Sequence, residues 1–355
     1  MVLQGGGALG AYQVGVYQAL HEAGIEPDWV IGTSIGAING AIIAGNDPGN
    51  RFAKLTRFWD LVEHRQKDEL GRLWPATERT LASTGTLMRG IAGFFVPNPQ
   101  VAWGMHMPVG VESAAFYSTA PLKTTLADLI DFDCINKKST RLTVGAVKVS
   151  TGQMQYFDSR DRRMGVEHVM ASGALPPGFP AVRVDGEAYW DGGVYSNTPI
   201  EAVLDDHPRR DSLIFAVNMW HPRGPEPETI WQVLGRHKEI QYASRADSHI
   251  ARQIQIHTLR HVIRKLAQRL PESERKDPAL RELLSYGCST HMHVVRLLAP
   301  RFDGEDYMKD IDFTAAGIRA RWQAGYADAR GILNAAPWQL EDESIDGVVV
   351  HNVRP

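Results

Sequence analysis

Within its first 45 residues the chain twice repeats one order of events: a short apolar run, a glycine-rich turn, then a helical run. "MVLQGGGALG" leads into "AYQVGVYQALHEAG", and "DWVIGTSIG" leads into "AINGAIIAG". Strands alternating with helices imply parallel pairing, because each helix carries the chain back to the same edge of the sheet. Val14, Tyr17, Ala19 and Leu20 predict a helix from about Gly10 to Ala23, with Gly24 as its C-cap. Ile35 to Ala44 holds small and apolar residues only, apart from Asn39, and suits a helix buried on most sides. Further helices are expected at 49–66 and 76–83. The first strand is shorter than the ~5–6 residues usual for a buried one, so further chain is expected before Met1.

Two chemistries compete for the glycines. Gly5-Gly6-Gly7-Ala8-Leu9-Gly10 satisfies G-x-G-x-x-G, the dinucleotide fingerprint. That reading needs an acid at the C-terminal end of the second strand to hold a ribose. Asp28 begins that strand instead, and Gly32-Thr33-Ser34 ends it. The second reading is G-x-S-x-G, in which Ser34 sits on a strained strand-to-helix turn above the sheet edge. Gly32 and Gly36 are needed there because side chains would clash around the turn. The Gly5, Gly6, Gly7 loop would lie beside Ser34 and offer backbone N–H donors to an oxyanion. A tight turn for helix packing explains one or two of these glycines better than three.

A nucleophilic serine needs a base. Thirteen histidines are present, none in a recognisable triad context; His168, in "VEHVMASG", reads as a half-buried helix residue. Asp191, in "YWDGGVYSNTP", ends an apolar strand and is followed by Gly192 and Gly193, which leave room for a partner to approach. A plain Asp-Gly turn fits the same residues. The apolar "AYW" before Asp191 would raise its pKa, as a base for an alcohol requires.

The remaining chain continues the alternation. "RLTVGAVKVSTGQMQYFD" predicts a hairpin turning at Ser150-Thr151-Gly152, and "AVRVDGEAYWDGGVY" a strand pair turning at Asp185-Gly186. "DSLIFAVNMW" and "HMHVVRLLA" read as strands, and "HPRGPEPE" breaks the chain near residue 228. Long helices are expected from about Thr229 to Arg269 and over 314–333, the second with Thr314 as N-cap. Residues 85–121 show no steady period and are rich in Gly, Pro, Met and aromatics. They suit an apolar flap over a site or a buried irregular connection.

A net charge of −3 argues against nucleic acid as a partner. Cys134 and Cys288 form no disulfide framework or ligand cluster, which fits a reducing compartment. No apolar run reaches the ~18 residues of a membrane span, and no signal peptide is visible at the start. No metal site and no cofactor is expected.

Four separated blocks, "GGGALGAYQVGV", "GTSIGAINGA", "ASGALPPGFP" and "DGGVYSNTP", stand in the order seen in patatin-like phospholipases, which the chain resembles over about residues 1–220. The resemblance implies a three-layer α/β/α sandwich with a mostly parallel central sheet. It implies a Ser–Asp dyad without histidine, with Ser34 as nucleophile, Asp191 as base and Gly5, Gly6 and Gly7 as the oxyanion hole. Ser172 and Pro176 fall in the third block and would support the site. The expected division is a catalytic domain at 1–224 and a mostly helical extension at 225–355 packed on the core.

The expected reaction is hydrolysis of a lipid acyl ester through an acyl-Ser34 intermediate, by a cytoplasmic enzyme. Two alternatives stay open: a Ser-His-Asp esterase using His207 or His221, and a non-catalytic lipid- or protein-binding scaffold. Between 236 and 276 stand ten Arg or Lys against four Asp or Glu, a local +6, with His257 and His261 adding latent charge. Such a helix can lie on an anionic membrane, with Phe94-Phe95 as a second contact, or pack its apolar stripe on the core.

Overall fold

The computed structural model describes residues 1–63, 88–137, 139–303, 305–339 and 347–353, less the side chains of 244–246. The helix expected at 76–83 lies outside these residues. Strands β1 (Val2–Leu3) and β2 (Trp29–Gly32) flank helix α1 (Ala11–Glu22), and β2 is followed by α2 (Ile35–Ala44) and α3 (Pro48–Val62). A small hairpin, β3 (Val96–Pro97) and β4 (Tyr117–Ser118), precedes α4 (Ala120–Leu129). The hairpin β5 (Arg141–Lys148) and β6 (Met154–Asp158) leads to α5 (Val166–Ser172). Then come β7 (Val182–Val184), β8 (Glu187–Asp191) and β9 (Ser212–Asn218). Helix α6 (Ile230–Arg269), β10 (Met292–Leu298), α7 (Ala315–Ala335) and β11 (Val348–Asn352) complete the chain.

Nine strands form one sheet in the order β11-β10-β9-β1-β2-β5-β8-β7, with β6 also paired to β5. From β11 to β5 every pair is parallel; β6, β7 and β8 join antiparallel. Side chains alternate between the two faces of a strand, and the two cores follow that alternation. Leu3, Val30, Phe215, Val217 and Val295 face the larger core with α1, α2 and α7. Their neighbours Val2, Ile31, Ile214, Ala216 and Val294 face the smaller one, where α6 supplies Ile250. The result is the expected layered α/β sandwich. No helix among the described residues is long and apolar enough to cross a membrane.

The chain beyond residue 225 adds more than helices. β10 pairs with β9 and β11 with β10, so this part widens the same sheet. No strand was expected at β11. Helix α7 lies on α1 with backbone in contact: a Cβ on Gly15 would stand 1.9 Å from the Trp322 carbonyl oxygen, and one on Gly325 2.0 Å from that of Tyr12. Tyr12 Oη donates to Asp328 at 2.8 Å and Trp322 Nε1 to Gln18 at 2.7 Å, fixing the two helices in register.

Candidate active site

Pairing of Leu3 with both Gly32 and Val217 sets three strand ends side by side. The two glycine turns emerge there together. Ser34 has φ 57° and ψ −126°, a conformation that costs a non-glycine residue energy and is held only where the surroundings enforce it. A Cβ on Gly32 would lie 2.3 Å from the Gly36 carbonyl oxygen, and one on Gly36 2.3 Å from that of Leu3. Both elbow glycines are therefore sterically required. The Ser34 N–H donates to the Ser172 carbonyl and to Ser172 Oγ, each at 3.1 Å, and Ser172 Oγ donates on to the Gly145 carbonyl at 2.6 Å. Ser172, in the expected supporting block, thus ties the elbow to β5. Ser34 also heads α2, whose dipole favours negative charge at that end.

The glycine loop divides its work. The Gly5 N–H donates to the Asn197 carbonyl at 3.1 Å, so it is not free to meet an oxyanion. This corrects the expectation that all three glycines act as donors. The Gly5 carbonyl accepts from Asn197 Nδ2 at 3.0 Å and Trp220 Nε1 at 2.8 Å. Gly6 and Gly7 have no backbone acceptor for their N–H groups among the described residues. Gly7 has φ +55° and passes so near residue 310 that a Cβ would stand 2.2 Å from the Asp310 carbonyl oxygen. Beneath the loop the buried Gln4 side chain accepts from the Met219 and Trp220 N–H groups and donates to Thr198 Oγ1 at 2.7 Å. None of Gln4, Asn197 or Trp220 was singled out from the sequence. Asn197 stood inside the quoted "DGGVYSNTP" block, which was the available signal.

Asp191 ends β8 opposite Ala146 of β5 and is 1% exposed. A Cβ on Gly192 would meet the Gly145 carbonyl oxygen at 2.5 Å, so glycine lets this strand end close against β5. Asp191 Oδ1 accepts the Gly193 N–H at 2.7 Å, whereas the buried Oδ2 has no hydrogen-bond partner. Burial pushes the Asp191 pKa up to about 7; the Ser34 hydroxyl beside it and the Gly193 N–H act the other way. The carboxyl group thus titrates near neutrality, within reach of the Ser34 hydroxyl.

Ser34, Asp191 and the three loop glycines line one cavity of about 260 Å³. Its wall is apolar: Ile35, Ile38, Phe94, Phe95, Phe179 and Phe313. The rings pack on one another, Phe95 against Tyr117 at 4.9 Å and Phe179 at 5.2 Å, and Phe94 against Phe313 at 5.9 Å. Pro176, preceding a cis bond to Pro177, lines it too. Tyr242 of α6 and Asp310, Ile311 and Phe313 reach this wall from the C-terminal part of the chain.

Several expectations are overturned here. Phe94 and Phe95 are 7% and 4% exposed and face the cavity, so they offer nothing to a membrane. No histidine lines the cavity among the described residues. His221 lies off it, and burial with the Arg301 and Lys309 charges pushes its pKa down to about 4. His207 is exposed in the loop before β9, away from the strand end that carries the site. The serine–histidine alternative has no histidine in place among the described residues. His257 and His261 are buried, His261 bonded to the Thr290 carbonyl at 2.9 Å, and burial lowers the His257 pKa. They therefore face the core from α6, beside Ile250 and Gln253, while Leu259 and Leu266 of the same helix point to water.

A parallel α/β sheet carrying a serine elbow, free backbone donors and an apolar cavity defines the class of serine-type ester hydrolases. Within it the chain belongs to the patatin-like phospholipase family: the family model described as patatin-like phospholipase matches residues 1–204. A second, described as patatin phospholipase, matches residues 240–344. The chain is 64% identical over 44 residues to Lysophospholipase nte1 of Aspergillus terreus, 12% of this chain and 3% of that protein. It is 46% identical over 59 residues to Patatin-like phospholipase domain-containing protein 6 of Homo sapiens, 17% of this chain and 4% of that protein. The matches thus span only a small fraction of these much longer relatives. Among solved structures, VipD from Legionella pneumophila is similar with a TM-score of 0.38 and 16% identity, over 94% of this chain and 66% of that one.

Proposed function

We propose that the chain hydrolyses lipid acyl esters, in the manner of a phospholipase A or lysophospholipase, through a Ser34–Asp191 dyad. The observation that carries this reading is the buried Asp191 carboxyl group, one oxygen of which has no hydrogen-bond partner, with the Ser34 hydroxyl near enough to act against the burial that raises its pKa to about 7. Asp191 takes the Ser34 proton as Oγ attacks the ester carbonyl. The oxyanion develops against the Gly6 and Gly7 N–H groups, which Gly5 holds in place through Asn197 and Trp220. Loss of one such donor typically costs ~10²–10³ in rate. Asp191 then returns the proton to the departing alcohol, leaving acyl-Ser34. Water, deprotonated by Asp191, releases the fatty acid and restores the serine. Protons and electron pairs balance with these side chains and water alone. The aromatic wall supplies an apolar seat for the acyl chain. The names of the relatives, lysophospholipase and patatin-like phospholipase, agree with this substrate class.

A fluorophosphonate probe tests the nucleophile directly. Wild-type protein is expected to label on Ser34, located by mass mapping, and to hydrolyse a short-chain ester; Ser34→Ala is expected to do neither. Labelling of a different residue, or an unreactive wild-type protein, refutes the assignment.

A further inference from the structure

Between Gly90 and Ser118 the sequence holds no Lys or Arg and a single carboxylate, Glu112. That carboxylate is paired with Arg183. The structure sorts the segment into two sets of side chains. Phe94, Phe95 and Tyr117 turn into the catalytic cavity. Trp103, Met105, Met107 and Phe116 turn to water, 65%, 80%, 53% and 43% exposed.

This outer surface is built rather than trailing. Asn98 Nδ2 donates to the Ser113 and Ala115 carbonyls, both at 2.8 Å, and closes the loop across its base. The Phe116 N–H donates to the Pro177 carbonyl at 3.1 Å and the Tyr117 N–H to that of Gly178 at 2.9 Å. An outer groove of about 210 Å³, with Val101, Met105, Met107 and Phe116 on its sides, has Pro177 in its wall. Pro177 also lines the catalytic cavity. The outer groove and the catalytic cavity thus share Pro177 as a common wall.

Clustered Trp, Met and Phe side chains held in water mark a contact surface. The near absence of charge excludes a partner recognised by ion pairing. A shared wall with an apolar cavity lined by Phe94, Phe95 and Phe179 selects a lipid surface as the occupant. We propose that residues 96–116 seat the enzyme on lipid through uncharged contacts, and that an acyl chain passes over Pro177 into the cavity. This rests on the hydrolase reading for its second half only. It differs from docking through the basic residues of α6, because contact through an uncharged loop requires no anionic lipid and resists salt.

The test uses Ser34→Ala protein, which leaves lipid unconsumed, in flotation with phosphatidylcholine vesicles and with vesicles also containing phosphatidylserine, each at low and high salt. Binding to phosphatidylcholine alone, little changed by salt, is the expected result. Adding Trp103→Glu and Met105→Glu is expected to lower binding about tenfold or more, since each places a charge at the apolar boundary. In the active protein the same pair is expected to reduce vesicle hydrolysis while leaving turnover of a water-soluble short-chain ester at the wild-type level, which also reports correct folding. Undiminished vesicle binding by the double variant overturns the proposal. Binding that needs phosphatidylserine and vanishes in salt overturns it in favour of the basic helix. A dimer that the double substitution dissociates, with vesicle binding intact, overturns it in favour of a second copy. A wild-type protein that binds vesicles but hydrolyses no ester refutes the hydrolase reading and leaves the docking surface standing.

Discussion

Asp191→Asn is expected to remove activity and, at neutral pH and above, to make the protein more stable. The Asp191 pKa rises from 3.8 to about 7 on folding, mainly through burial. Each unit corresponds to about 1.36 kcal/mol between protonation states. Holding the ionised carboxylate in the fold therefore costs about 4 kcal/mol. The unfolded carboxyl group ionises from 3.8 upward, whereas the folded one keeps its proton until about 7. The penalty is thus absent below 3.8, grows between the two values and is complete above about 7. Asparagine keeps an acceptor for the Gly193 N–H, which stands 2.7 Å from Asp191 Oδ1, and carries no charge. Urea unfolding of both proteins across about pH 4 to 8 should show the variant gaining on the wild type by about 4 kcal/mol over that span. Every other titrating group is shared, so the difference isolates Asp191. The wild-type kcat/KM on a soluble ester should rise about tenfold from pH 6 to pH 8, as the ionised fraction climbs from ~0.1 to ~0.9. Parallel stability curves for the two proteins, or a flat activity profile over that range, refute the reasoning.

Other substitutions probe the supports. Ser172→Ala removes the hydroxyl that links the Ser34 N–H to the Gly145 carbonyl. It should cost about 1–3 kcal/mol of stability by urea titration and lower kcat without moving the activity midpoint near pH 7. Gly325→Ala forces a methyl into the Tyr12 carbonyl oxygen, 2.0 Å away, and should destabilise by about 1–3 kcal/mol or more. Combined with Gly15→Ala it should cost less than the sum in thermal melts, since both open the same helix crossing. His221→Gln should leave ester turnover at the wild-type level; a loss comparable to that of Asp191→Asn would restore a histidine mechanism.

The local pattern of residues determined the glycine turn, the elbow and the strand–helix alternation. Turn chemistry and hydrophobic period act over a few residues, so Gly32, Ser34 and Gly36 could be read as an elbow, and Asp185-Gly186 as a hairpin turn, before any contact was known. Both of those hairpin residues do take positive φ, 50° and 83°. Asp191 was legible as a strand end with room beside it, but its pKa near 7 depends on burial that neighbours elsewhere in the chain impose. Tertiary structure alone decided that the Gly5 N–H is taken by Asn197, a residue 192 positions away. It also decided which aromatics of the 90–118 segment face the cavity and which face water, since that segment has no period to tell them apart. The same holds for α6, where His257 and His261 turn inward and Leu259 outward. Exposure is set by whichever element packs against a residue. The places of β10 beside β9, β11 beside β10 and α7 on α1 were set only by the assembled sheet.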